Sequence, residues 1–239
     1  MKFKNILFIG IIIQGLVACD KVDSDLVSPE SIYFSTNIEQ NDELIQDANT
    51  ITCITSPYHQ ASGPSKLVDL IDGDKLTCNG VRMRRKDNVL GFTYEATIPK
   101  SATNTYTLTF YRNGTEFGSA NVMMPEDFKV LEPNNAFNFN FTDALKVVIE
   151  TKDEPNISIR AELRIQQGST LLSESKGQTT VTLPPLKESL PDLAPPKEDQ
   201  QVVLTVSRSR SQKFIGKFNG NLKASLSKRI YGKLNKSSN

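Results

Sequence analysis

From Ser31 onward the apolar side chains alternate with polar ones instead of recurring at helical spacing, and turn-forming residues interrupt them about every 8 to 15 positions. This is the pattern of half-buried strands, because successive side chains of an extended chain leave opposite faces. Phe92, Tyr94, Ala96 and Ile98 fall on one face of a strand, and Tyr106, Leu108 and Phe110 on one face of the next. Asn113-Gly114 closes a hairpin, since both central positions of a type I′ turn need positive φ and these residue types tolerate it. Near the carboxyl end Leu222, Ala224, Leu226, Ile230 and Leu234 share one parity and Lys223, Ser225, Ser227, Arg229 and Lys233 the other, with Lys228 and Tyr231 as exceptions. Asn219-Gly220 gives a second type I′ signal, toward which residues 214–218 run back.

Around Met124-Pro125-Glu126-Asp127 the alternation resets, and Val130-Leu131-Glu132-Pro133-Asn134-Asn135 reads as the turn opening a second module. The boundary falls near residue 126, giving two β-sandwich domains, 31–125 and 126–239, of ~95 and ~114 residues. In the second, strands are expected over 137–141, 145–149, 157–165, 179–183 and 202–206. Pro184, Pro185, Pro191, Pro195 and Pro196 exclude a central strand or helix between the later strands. Residues 186–200 are therefore either a partner-binding loop or a passive crossover. The expected fold class is all-β.

Composition narrows the function classes. A chain of 239 residues with 38% apolar and 23% charged residues is ordinary folded protein, which excludes wholesale disorder and a multispan membrane architecture. One His, no Trp and three Cys leave little material for a His-based metal site or a His-assisted nucleophile. The net charge of +1 hides a segregation: residues 200–239 hold nine Lys or Arg and no Asp or Glu, whereas residues 1–199 are acidic.

The amino terminus is laid out as an export signal. Lys2 and Lys4 form a positive region, residues 6–13 an apolar one, and Gln14, Gly15 and Leu16-Val17-Ala18 lead into Cys19. The apolar stretch falls short of the ~20 residues a bilayer span needs. Leu16-Val17-Ala18-Cys19 resembles the lipobox of bacterial lipoproteins. That resemblance implies removal of a signal peptide at 1–18, a diacylglyceryl group on the Cys19 thiol and acylation of the new amino terminus. Acyl chains contribute about 0.8 kcal/mol per buried methylene, so two or more give stable attachment. Asp20 resembles a retention signal for the periplasmic face of the inner membrane, which is favoured slightly over the outer membrane. The polar run through Glu30 reads as a flexible tether, so that 19–30 comprise the lipidated Cys and ~20 Å of coil.

The strand spacing and the VLEP opening before LKVVI resemble the tandem immunoglobulin-like or fibronectin-like sandwiches of envelope lipoproteins. A true immunoglobulin domain carries a buried Trp and a more widely spaced Cys pair than Cys53 and Cys78, and neither is present. In an oxidising periplasm Cys53 and Cys78 are expected to form a disulfide, closing a loop of about 25 residues; the alternative is a redox or metal role, which lacks the C-x-x-C spacing.

The remaining chemistry is sparse. Asp69, Asp72 and Asp74 gather carboxylates at a Gly turn without the EF-hand spacing, and read as a solvated turn before a calcium site. His59 has no nucleophile motif to serve and reads as a loop His. Arg82, Arg84, Arg85 and Lys86 form a short basic cluster. Lys223, Arg229 and Lys233 are candidates for contact with an anionic surface, or else charges that keep an edge soluble. No catalytic residue, metal or cofactor is expected. The sequence therefore points to a lipid-anchored, non-catalytic binding or assembly module. Its partners are the membrane, reached through Cys19, and an envelope protein or polyanionic polymer, with nucleic acid excluded by export. The alternative is an envelope glycan hydrolase using a carboxylate pair.

Overall fold

The computed structural model describes residues 21–41, 49–59, 65–71, 73–89, 91–152, 154, 156–165, 169–215 and 217–236. The expected signal peptide at 1–18, Cys19 and Asp72 lie outside these residues. The strands of the first half are β1 (Lys21–Asp23), β2 (Ile32–Asn41), β3 (Thr50–His59), β4 (Lys66–Asp69), β5 (Lys75–Cys78), β6 (Val81–Arg82), β7 (Arg84–Asn88), β8 (Gly91–Pro99), β9 (Thr105–Arg112) and β10 (Thr115–Met123). Those of the second are β11 (Lys129–Glu132), β12 (Phe137–Phe139), β13 (Leu145–Glu150), β14 (Ile157–Ile165), β15 (Thr170–Lys176), β16 (Thr180–Leu183), β17 (Gln200–Phe214) and β18 (Asn219–Leu234). The expected all-β class is what the protein adopts; the proline-rich connection adds one helical turn, α1 (Leu186–Ser189).

Eleven strands form a main sheet in the order β1-β4-β3-β2-β18-β17-β14-β15, with β8 beside β3, β7 beside β8 and β12 beside β18. Two smaller sheets, β10-β9-β5-β6 and β11-β13-β16, complete the fold. The alternation read from the sequence decides which face is covered. Phe34, Ile38, Ile159, Leu163, Leu204, Val206, Leu222 and Ala224 are buried, while their neighbours along each strand face outward. Opposite them lie Leu76, Leu108 and Phe110 of one small sheet and Val147, Ile149, Val181 and Leu183 of the other, in one hydrophobic cluster. The Phe34 and Phe110 rings meet across the layers at 5.1 Å. The result is sheet-on-sheet packing with one solvated outer face.

The edge of β18 is shared by both halves of the chain. Residues 219–227 run parallel to β2, with Asn219 opposite Tyr33, and residues 232–234 run parallel to β12. The two sequence stretches divided at residue 126 therefore meet in one sheet. Lys228, an exception in the β18 alternation, lies on the inner parity because it pairs with Asp127 at 3.0 Å and stands over the Phe128 ring.

Two expectations are corrected. The supposed tether is folded: β1 pairs in parallel with β4, Lys21 opposite Leu67, and short turns follow at Ser24–Leu26 and Pro29–Ser31. An edge strand is held by backbone hydrogen bonds and needs no apolar pattern, which is why a polar run conceals it. Asn219-Gly220 is not a turn but the start of β18. Gly is required there because a Cβ would lie 2.4 Å from both the Phe34 carbonyl oxygen and Phe214 Cζ. Asn113-Gly114, by contrast, makes the expected turn, with φ of 48° and 80°.

Candidate functional site

The segment that follows β5 changes sheets. β6 pairs with β5 in the four-stranded sheet, Arg82 opposite Thr77, and β7 pairs with β8 in the main sheet, Arg84 opposite Glu95. Met83 is the corner between them. It is buried, its amide donates to the Leu76 carbonyl at 2.9 Å, and its sulfur accepts from the buried Thr55 hydroxyl at 3.7 Å. With Met83 fixed in the core, extended geometry turns its neighbours Arg82 and Arg84 outward, and both are exposed.

These two guanidinium groups stand between two cavities. One, of about 500 Å³, is also lined by Asp69, Asp74, Lys75, Arg85 and Tyr94; the other, of about 400 Å³, by Thr52, Val81, Glu95 and Thr97. Both are of the size that takes small ligands or a segment of a polymer.

The carboxylates of the larger cavity are fully engaged. Asp69 Oδ2 accepts from Arg85 at 2.9 Å and Lys21 at 3.2 Å, and its Oδ1 accepts from the Tyr94 hydroxyl at 3.1 Å. Tyr94 in turn accepts from the Leu70 amide at 2.8 Å. Burial, followed by the nearby Asp69 charge, pushes the Tyr94 phenol up to about 12 against the favourable Leu70 bond. Asp74 is buried; its Oδ2 accepts from Arg112 and from Ser24, each at 2.7 Å, and its Oδ1 from the Asn113 amide at 2.9 Å. Arg85 also reaches Asp87 and lies over Phe92, and Lys75 lies over Tyr111. Arg82 and Arg84 have no ion-pair partner among the described residues. Two such forks accept carboxylate, sulfate or phosphate oxygens in pairs.

The other sequence-predicted residues fall elsewhere. Lys223, Arg229 and Lys233 all leave the outer face of β18, spread over ten residues, about 33 Å of extended chain. Lys223 lies between Ser211 and Asn37 in register, and Lys233 pairs with Asp199 at 3.3 Å. The Lys236 amide and then Lys233 hold the Asp199 carboxyl below its ordinary value. His59 ends β3, opposite Ile32 and Lys66. Cys53 on β3 and Cys78 on β5 are brought together from opposite layers as separate, buried thiols. A hydrogen bond with Cys78, and burial after it, raise the Cys53 thiol well above its ordinary range.

Among the described residues no group of three or more His, Cys, Asp or Glu is placed to hold a metal ion, and no helix is long and apolar enough to cross a membrane. The basic run at 82–86 was visible in the sequence, but its division between two sheets was not, and Tyr94 read only as a core residue. No protein-family model matches the chain, and no curated protein matches its sequence.

Proposed function

We propose that the protein is a bacterial envelope lipoprotein, cleaved before Cys19 and held by acyl chains on that residue at the periplasmic face of the inner membrane. Its folded part is a non-catalytic binding or assembly module for another envelope component. The cleft beside Met83 carries this reading. Its two carboxylates have every oxygen engaged inside the protein, while Arg82 and Arg84 are left to meet an anionic group from outside. A site arranged in this way recognises charge and offers no free carboxylate for proton transfer, which weighs against the glycan hydrolase alternative.

The test is crosslinking in intact cells, followed by purification through a carboxyl-terminal tag and mass spectrometry. The intact protein is compared with Cys19→Ser and with Arg82→Glu/Arg84→Glu. A partner protein or anionic polymer captured by the intact chain and lost from both variants is expected. Capture unaffected by the Arg pair would move the site elsewhere. Release of reducing sugars from isolated envelope glycan by the purified, folded protein would replace this reading with the hydrolase.

A further inference from the structure

We propose that the end of the main sheet where the chain enters is a membrane-docking surface, with Val89 and Ile215 at its tips and an anionic lipid bilayer as its partner. The proposal rests on the lipoprotein reading for the anchor and goes beyond it by orienting the folded body.

Register places these features together. β3 ends at His59, which lies opposite Ile32 at the start of β2 and Lys66 at the start of β4. Lys21 lies opposite Leu67, so the first described residue is at this end. On the other side Asn219 lies opposite Tyr33 and Gly220 opposite Phe214, so the turn between β17 and β18 closes the same end. The turn between β7 and β8 is tied to the entry strand by ion pairs: Asp69 binds both Lys21 and Arg85, and Arg85 binds Asp87, two residues before Val89.

Val89 is 100% exposed and Ile215 91%, the two most exposed large apolar side chains among the described residues. Ile215 is held out by its base, where Phe214 stacks on Phe218 at 4.7 Å. It is flanked by the exposed Lys213 and Lys217. Neither Lys213 nor Lys217 has an ion-pair partner among the described residues; Glu30, whose carboxyl Lys217 helps to lower, is bonded to Ser28. Aliphatic tips flanked by cations suit the boundary between headgroups and acyl chains.

The folded entry strand removes the slack that would make orientation arbitrary. Cys19 is two residues before Lys21, and two residues of extended chain span about 7 Å. An acyl group on Cys19 would hold this end, and no other, against the lipid.

The test uses full-length protein with Val89→Cys, Ile215→Cys or Ala102→Cys, each labelled with an environment-sensitive fluorophore. Ala102 is exposed at the opposite end, beyond the pairing of Pro99 with Thr50. In vesicles of phosphatidylglycerol and phosphatidylethanolamine carrying nitroxide on the acyl chains, labels at 89 and 215 are expected to shift to the blue and be quenched, and the label at 102 to stay as in water. Lys213→Gln/Lys217→Gln is expected to lower adsorption of the Cys19→Ser chain on such vesicles by roughly tenfold or more. Labels at 89 and 215 that behave like the one at 102 would overturn the docking surface, whatever the state of Cys19. The mass of the amino-terminal peptide reports acylation separately, so failure of the anchor and failure of the surface give different results.

Discussion

Asp74 Oδ2 and Arg112 Nη1 lie 2.7 Å apart, with the carboxylate side chain 1% exposed and the guanidinium 19%. The same guanidinium binds the Ser24 carbonyl at 2.6 Å, and the Ser24 hydroxyl completes the set by donating to Asp74 and accepting from the Ile71 amide at 3.1 Å. This pair fastens the amino-terminal segment to the turn between β9 and β10. Removing one partner leaves a buried, uncompensated charge, so Arg112→Met is expected to destabilise by about 3 to 5 kcal/mol. Asp74→Leu together with Arg112→Met is expected to cost less than the sum of the single changes, because neither charge is then stranded. Urea unfolding measures the stabilities. Tryptic cleavage at Lys21 should speed up in Arg112→Met, and an unchanged cleavage rate would show that the segment is held by other contacts.

The meeting of Cys53 and Cys78 from opposite layers predicts a redox-dependent stability. The hydrogen bond with Cys78, and burial after it, keep the Cys53 thiol protonated and slow to react at neutral pH. Under a glutathione redox buffer poised to oxidise, the pair is expected to close, with the loss of two hydrogens in the intact mass. The bond would restrict a loop of about 25 residues and stabilise by about 3.5 kcal/mol on the chain-entropy model. Cys53→Ala should be insensitive to the buffer. Recovery of both thiols by alkylation after unfolding the oxidised sample would exclude the bond.

How far the sequence could be read follows from where each contact gets its specificity. Single strands were legible because one face is buried and the period of two is written into residues such as Leu222, Ala224 and Leu226. The parallel pairing of β18 with β2 was not, because no turn links Asn219 to Tyr33 and backbone pairing leaves no mark on side-chain type. β17 was expected over 202–206, and its continuation to Phe214 was hidden by Arg208. That residue is buried on the inner face, where its guanidinium donates to the carbonyls of Glu126 and Lys152 at 3.0 and 3.3 Å. The cleft was half legible: Arg82 and Arg84 stood out as charges, but their exposure on both sides of one buried Met depends on a strand that changes sheets.

Tyr94 makes the alkaline limb of stability testable. Its phenol titrates at about 12 in the folded protein against 10 ordinarily, so the folded chain holds this proton more tightly than the unfolded one. The group therefore leaves stability unchanged below pH 10 and lowers it as pH rises from 10 toward 12. Cys53 acts in the same sense, beginning near its ordinary value of 9.0. Tyr94→Phe removes the bonds to Asp69 and Leu70 and is expected to cost about 1 to 3 kcal/mol at pH 7. The same variant should flatten the fall above pH 10. Urea midpoints between pH 7 and 11.5 decide it, and an identical alkaline slope in the variant would remove Tyr94 from the account.

Gly220 tests the join between the two halves of the chain. A Cβ there would stand 2.4 Å from Phe214 Cζ, which is a side chain, and 2.4 Å from the Phe34 carbonyl oxygen, which belongs to the backbone of β2. A ring can turn aside, whereas the carbonyl can retreat only by opening the parallel pairing of β18 with β2. Gly220→Ala is therefore expected to destabilise by about 1 to 3 kcal/mol, as overpacking does in well-packed interiors. Adding Phe214→Ala should restore only part of the loss, because the carbonyl remains in the way. Gly114→Ala separates this effect from backbone strain, since its Cβ would meet nothing within 4 Å and its φ of +80° alone resists the change. Hydrogen exchange on the β2 amides should quicken in Gly220→Ala and stay unaltered in Gly114→Ala. Equal exchange in the two variants would mean that the close approach at Phe34 does not hold the halves together.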